Sequence, residues 1–188
     1  MARPLLIDRE SVLVAAFRIA DEEGLAAVTM QRVATDLLVT PMALYRHVAN
    51  KADLLDGLVG LLLDDVPVPP ASMPWRERLR WIAESIRLAA QAHPAVFVLL
   101  FQRPATTAAL DVRRAIYDAL RDGGVPESEV AQTERVISTV ILGFAASEAG
   151  GRFRNRPKRE IDGDFAAAQT MVEHYLDQVS DEGPTSTP

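Results

Sequence analysis

Residues 29–55 read TMQRVATDLLVTPMALYRHVANKADLL. The pattern is two short helices joined by a tight turn, with a capped third helix directly after them. Thr40-Pro41 is the pivot. A threonine hydroxyl can cap a helix N-terminus, and proline fits the first helical position because no backbone donor is needed there. Met42 to Val48 supplies a short helix, and Asn50 is placed to cap the next one. Asp53 follows three residues on, a weaker form of the capping-box pattern. A short helix with a polar start, presented by another short helix, is how a helix-turn-helix offers side chains to the major groove. The stretch therefore points to DNA.

Outward from it, a first helix is expected over Asp8–Glu23, with Val12, Ala16, Ile19 and Ala20 along one side, Phe17 adjoining and Gly24 as a left-handed stop. Further helices are expected over Thr29–Asp36, Thr40–Val48 and Asn50–Asp65. Val66-Pro67-Val68-Pro69-Pro70 then breaks the pattern. A long helix from Pro74 carries Trp75, Leu79, Ile82, Ile86 and Ala89 at helical spacing and ends at His93-Pro94. Ala95–Phe101 reads as a buried turn or two. Helices over Ala105–Arg121, from Pro126 and over Gly163–Val179 complete an all-α chain of about nine helices, with a basic loop from Arg152 to Arg159 before the last. The expected organisation is a DNA-binding unit with its connecting helix over residues 1–66, a larger helical unit over 67–180 and a disordered tail over 181–188.

Composition narrows the function. The 188 residues contain no cysteine, which removes disulfides, thiol catalysis and thiolate metal sites and suits a reducing cytoplasm. No apolar run is long enough to span a membrane, and the N-terminus has no signal-peptide core. The net charge of −6 is unevenly placed: residues 1–51 hold six Lys/Arg and six Asp/Glu, so the remainder carries all of it. Within 29–51, Arg32, Arg46 and Lys51 stand against Asp36. Only the face near a duplex must be positive, and an acidic remainder limits indiscriminate binding. No Ser-His-Asp order, metal cluster, phosphate-cradling glycine loop or cofactor motif supports an enzyme.

The segments TMQRVA and ALYRHVANKADLL resemble the tetracycline-repressor (TetR) family of bacterial regulators. The carriers are Leu-Tyr near the end of the third helix, the recognition helix, a histidine two residues on, and Asn-Lys opening the fourth helix. HPAVFVLLFQRP, the DGGV stop and LGFAASE look like the C-terminal domain of the subgroup nearest the tetracycline repressor. One departure stands inside the motif: the turn commonly carries glycine before the valine, and here it is Leu38-Val39. A left-handed non-glycine costs about 1 kcal/mol, so the turn is either strained or shifted.

The resemblance implies roles for particular residues. Gln31, Thr40, Pro41, Met42 and Ala43 are placed toward base edges. Tyr45, His47 and Lys51 are placed toward phosphates, with Thr29 and the Thr40 hydroxyl available to them as well. The plainer alternative makes Thr40 and Asn50 caps and Met42 packing. Val33, Ala34, Leu37, Leu44 and Val48 read as the small core of this unit. Trp81, Phe97, Leu100, Phe101, Tyr117 and Phe144, with His93 and Glu148, form a candidate pocket for an apolar effector; each aromatic reads equally well as core, and His93 reads more simply as a helix-end cap. The stretch Val96–Phe101 offers no metal ligand and Glu148, which resembles the family's acidic residue in helix eight, lacks its metal-ligating partner, so no metal or cofactor is expected and a magnesium–tetracycline complex is not the expected effector. The family dimerises through its last two long helices, which places Phe165, Met171, Val172 and Tyr175 against Val136, Val140 and Phe144 of the partner subunit.

Together these imply a homodimeric repressor on a pseudo-palindromic operator, with half-sites ~34–36 Å apart, released when a small molecule favours a state with a pivoted fourth helix. The competing expectation is a regulator without a small-molecule effector, switched by a protein partner or acting as an activator.

Overall fold

The computed structural model describes residues 7–103 and 109–181. Its helices in chain order are α1 (Arg9–Glu23), α2 (Met30–Asp36), α3 (Pro41–Leu44), α4 (Lys51–Asp64), α5 (Trp75–Ala92), α6 (Pro94–Phe97), α7 (Ala109–Asp122), α8 (Glu127–Ala149) and α9 (Lys158–Asp181), with 3-10 turns at Leu25–Ala27 and Val98–Phe101. The described residues contain no strand, so the all-α class holds. No helix among them is long and apolar enough to cross a membrane. The chain divides into two compact units: residues through Asp65 with His93–Ala109, and Val66–Ala92 with the residues from Leu110 onward.

The first unit begins at a reciprocal cap. The Asp8 carboxylate accepts the Ser11 N–H at 2.8 Å, and the Ser11 hydroxyl accepts the Asp8 N–H at 3.0 Å. Val12, Ala16, Ile19, Leu54, Leu58 and Leu62 are fully buried where α1 meets α4. Each large aliphatic removed from water stabilises the unit by roughly 1.5–3 kcal/mol. The approach is so close at Gly57 that an added Cβ would lie 2.3 Å from a Leu13 methyl. The segment from His93 also belongs here and not with the C-terminal residues where the sequence placed it. Val96, Phe97 and Leu99 are buried against α1 and α4. His93 Nδ1 lies 2.8 Å from an Asp21 carboxylate oxygen and its ring stands edge-on to Phe17. At the other end of the segment, Arg103 donates to the Ala52 carbonyl at 3.0 Å and to Asp56 at 2.6 Å.

The second unit is built on α5, α7, α8 and α9. Ile82, Ala83, Ile86 and Ala90 of α5 are buried with Ile137, Ile141 and Ala145 of α8, Ile116, Ala119 and Leu120 of α7, and Phe165 and Leu176 of α9. Gly124 takes a φ of 86° after α7, as the Gly-Gly stop requires.

Two boundaries differ from expectation. The α-helical hydrogen bonding of α3 ends at Leu44, because the His47 N–H turns onto the Leu44 carbonyl in a tighter 3-10 bond of 2.8 Å. The last helix starts at Lys158, so it takes in the end of the basic loop and carries Gly163 in its interior. The expected start of α7 at residues 105–108 and the tail from residue 182 lie outside the described residues.

Candidate nucleic-acid interface

Local chemistry sets the path of the backbone through the reading segment. Thr29 caps α2 by accepting the Arg32 N–H at 3.1 Å, which commits its hydroxyl. Thr40 precedes α3 in extended backbone, but its hydroxyl makes no capping bond and the residue is exposed. The hydroxyl cap expected from the sequence is therefore not used. Pro41 at the first helical position has no N–H to satisfy, and the Thr40 carbonyl already takes the Ala43 N–H at 2.9 Å. Leu44 and Val48 are buried with Val33 and Ala34. Their burial leaves Gln31, Met42, Tyr45 and Arg46 exposed and Pro41, Ala43 and His47 half-buried. Lys51 is exposed at the start of α4, where Asn50 caps by accepting the Asp53 N–H at 3.0 Å.

The turn is strained and not shifted. The Leu38 N–H bonds the Thr35 carbonyl at 3.2 Å and the Val39 N–H bonds the Ala34 carbonyl at 2.9 Å. These bonds close α2 and hold Leu38 at a φ of 57°, in the left-handed region. There a Cβ crowds the following carbonyl at a cost of about 1–2 kcal/mol. The side chain recovers nothing by burial, because it is 88% exposed.

Ion pairs decide which charges face outward. Arg32, counted among the cations of this segment, is held by Glu23 at 2.5 Å and lies 3.5 Å from Asp36. Arg18 reaches Asp36 at 2.5 Å, and the Arg18 guanidinium keeps that carboxyl below its ordinary range. Arg46 and Lys51 have no ion-pair partner among the described residues. Arg46, counted in the sequence among the cations of this segment but given no contact role there, is exposed beside Tyr45. Arg9 donates to Asp53 at 2.6 Å and to the His47 carbonyl at 2.9 Å, tying α1 to the end of the reading segment. Arg9 and the Ala49 N–H together hold the Asp53 carboxyl below its usual range.

The residues read as an effector pocket fall into different places. His93, Phe97, Leu100 and Phe101 lie in the first unit; Trp81, Tyr117, Phe144 and Glu148 lie in the second. Phe97 is buried, Phe101 is exposed, and Trp81 is exposed on α5. Tyr117 lies under the Arg121 guanidinium. Glu148 is instead held in an ion pair: Arg87 donates to both its oxygens at 2.6 and 2.9 Å, and Gln91 donates at 2.9 Å. Arg87 above all holds its carboxyl below the ordinary range. The cleft inside the second unit has other walls, chiefly Trp75, Leu79 and Ile82 of α5, Ile137 and Ile141 of α8, and Val172 of α9. It has about 60 Å³ of free space, far below the roughly 300 Å³ of a drug-sized site. The expected dimer set also divides. Val136 and Met171 are exposed and Val140, Val172 and Tyr175 are half-buried, but Phe165 is 1% exposed and packs on Phe144 of its own chain, with ring centroids 5.2 Å apart. Phe165 is a core residue because it closes over the Arg87 guanidinium, 4.6 Å from its ring. No group of three His, Cys, Asp or Glu among the described residues could hold a metal.

Residues 12–58 match the family model described as bacterial regulatory proteins, tetR family, and residues 79–175 match the one described as tetracyclin repressor-like, C-terminal domain. The chain is 32% identical over 180 residues to the HTH-type transcriptional repressor DrrR1 of Streptomyces coeruleorubidus, covering 92% of this chain and 64% of that protein. It thus spans less than two thirds of that relative's length. Among solved structures, BioQ with its natural double-stranded DNA operator is 28% identical, with a TM-score of 0.77 over 90% of this chain and 98% of that one. ActR of Streptomyces coelicolor in complex with actinorhodin shares the fold at a TM-score of 0.81 and 22% identity, over 94% of this chain and 99% of that one.

Proposed function

Since the chain belongs to the TetR family of bacterial regulatory proteins, we propose that it is a homodimeric transcriptional repressor that reads a pseudo-palindromic operator through α2, α3 and the start of α4. The observation that carries the reading is the state of the α3 segment. Its apolar anchors Leu44 and Val48 are buried, while Gln31, Thr40, Met42, Tyr45, Arg46 and Lys51 remain exposed, with no helix cap using the Thr40 hydroxyl. Gln31 can pair with adenine, Met42 and Ala43 suit thymine methyls, and Tyr45, Arg46, His47 and Lys51 suit phosphates. DrrR1, a repressor by name, and BioQ, solved on its operator, support this choice of function.

Dimerisation is assigned to α8 and α9. Val136, Thr139 and Gly143 leave an exposed stripe on α8, and Gly163, Ala166, Ala167, Thr170 and Met171 leave one on α9. An added Cβ at Gly143 or Gly163 would meet nothing within 4 Å, so another helix could approach closely. Release by a small apolar ligand seated in the cleft lined by Trp75, Ile82, Ile137 and Ile141 would require that cleft to widen. The second reading is a regulator without a small-molecule effector, switched by a protein partner or acting as an activator.

The test is an operator selected from random duplexes by the full chain, followed by binding at several salt concentrations. Selective binding by a dimer that Tyr45→Ala with Lys51→Ala strongly weakens is expected. Equal binding to scrambled duplexes would overturn the DNA reading. Selective binding that no apolar compound in a broad screen weakens would establish the second reading.

A further inference from the structure

Leu38 is the one non-glycine residue at positive φ among the described residues, and it is also the most exposed large apolar side chain, at 88%. The next most exposed is Met42, at 74%, in the helix that follows. The fold gains nothing from a leucine at position 38. The backbone conformation there suits glycine, and no apolar neighbour covers the side chain. Arg32, the cation of the preceding helix, is committed to Glu23 and Asp36.

Building on the operator-reading role assigned above, we propose that Leu38 is a specificity-determining residue: its isobutyl group meets thymine methyl groups in the major groove beside the contacts of Met42. Apolar contact with the C5 methyl distinguishes T·A from the other pairs and adds no charge. A strained, exposed leucine at the mouth of the reading helix is then a binding feature carried at the expense of the fold. Leu38 and Met42 together predict an operator half-site with thymine at adjacent contacted positions.

Stability and DNA affinity must change in opposite directions. Leu38→Gly is expected to raise the melting temperature by a few degrees, as the left-handed strain is relieved. The same variant is expected to bind the selected operator roughly tenfold more weakly, the scale of one mismatched base pair. The slope of log affinity against log salt should not change, since no phosphate contact is lost. Replacing operator thymines one at a time by uracil removes only the methyl. At one such position the wild-type protein should lose about the same tenfold, and Leu38→Gly should lose nothing further. Leu38→Ala, which keeps the strain but shortens the side chain, should weaken binding without raising the melting temperature. Equal operator affinity of Leu38→Gly and wild type, with selective binding intact in both, would overturn the proposal alone. A wild-type protein that binds no duplex selectively would overturn the DNA reading and this residue's role with it.

Discussion

The bonds that start the helices of the reading segment and those that join the long helices of the second unit differ in reach. The caps of the first kind close over three residues: Asp8 with Ser11, Thr29 with the Arg32 N–H, Asn50 with the Asp53 N–H. The ion pairs of the second kind cross between distant positions: Arg87 to Glu148 and Asp162, Arg80 to Glu173, Arg76 to Asp177. Local caps set helix ends before any tertiary packing exists and leave the reading segment little freedom. Exposed pairs such as Arg76–Asp177 contribute only about 0–1 kcal/mol each, whereas the buried Arg87 network is the costly one to break.

The largest test of that contrast is at its one strong long-range site. Arg87 and Glu148 are both largely buried. Arg87→Ala would strand the Glu148 carboxylate and is expected to cost about 3–5 kcal/mol in denaturant unfolding of the full chain. Arg87→Met with Glu148→Met should recover most of that loss. A loss below about 1 kcal/mol would show that the second unit does not depend on this network. Next is the reading surface itself. Tyr45→Ala with Lys51→Ala should weaken operator binding by about 2 kcal/mol or more while reducing the salt slope by about 1 for the lost lysine. An unchanged slope would remove Lys51 from the phosphate contacts. Asn50→Ala, which deletes a cap, should cost about 1 kcal/mol of stability, read by the same denaturant titration, with the second unit's network undisturbed.

The smallest expected effect is that of mild acid. Asp36, Asp53 and Glu148 are held below their ordinary ranges by Arg18, Arg9 and Arg87 respectively. The folded state therefore binds their protons less readily than the unfolded one. Their contribution is fully present above the unfolded values near 4 and is lost as pH falls through the lower folded values. The melting temperature should stay nearly level from pH 7 to about 5 and decline below about 4. A decline that began near pH 6 would show that these three carboxylates do not govern the response.

What could be read from the sequence follows the same division. Asp8, Thr29, Pro41 and Asn50 announce helix starts because their bonding partners lie within a few residues, and the α1–α4 succession follows from them. The strain at Leu38 was visible as one of two alternatives, and the turn's backbone bonds decide between them. The neutralisation of Arg32 by Glu23 could not be read, since it depends on how α2 meets the end of α1. The ion pair of Glu148 could not be read because Arg87 is 61 positions away in sequence. The lining of the cleft among α5, α8 and α9 was hidden for the same reason: Trp75 and Ile82 read only as the apolar face of a helix until α8 and α9 are in place.

The return of residues 93–103 to the first unit has a consequence for modularity. Val96, Phe97 and Leu99 bury themselves on α1 and α4, and Arg103 clamps α4 near its start. The reading head is therefore not a contiguous cassette. A chimera that fused residues 7–65 alone to a foreign effector module would leave that apolar surface bare and prone to aggregate. Recombination could exchange this head intact only by carrying two separated pieces of the gene, which binds the inheritance of the reading head to part of the sequence that follows α5.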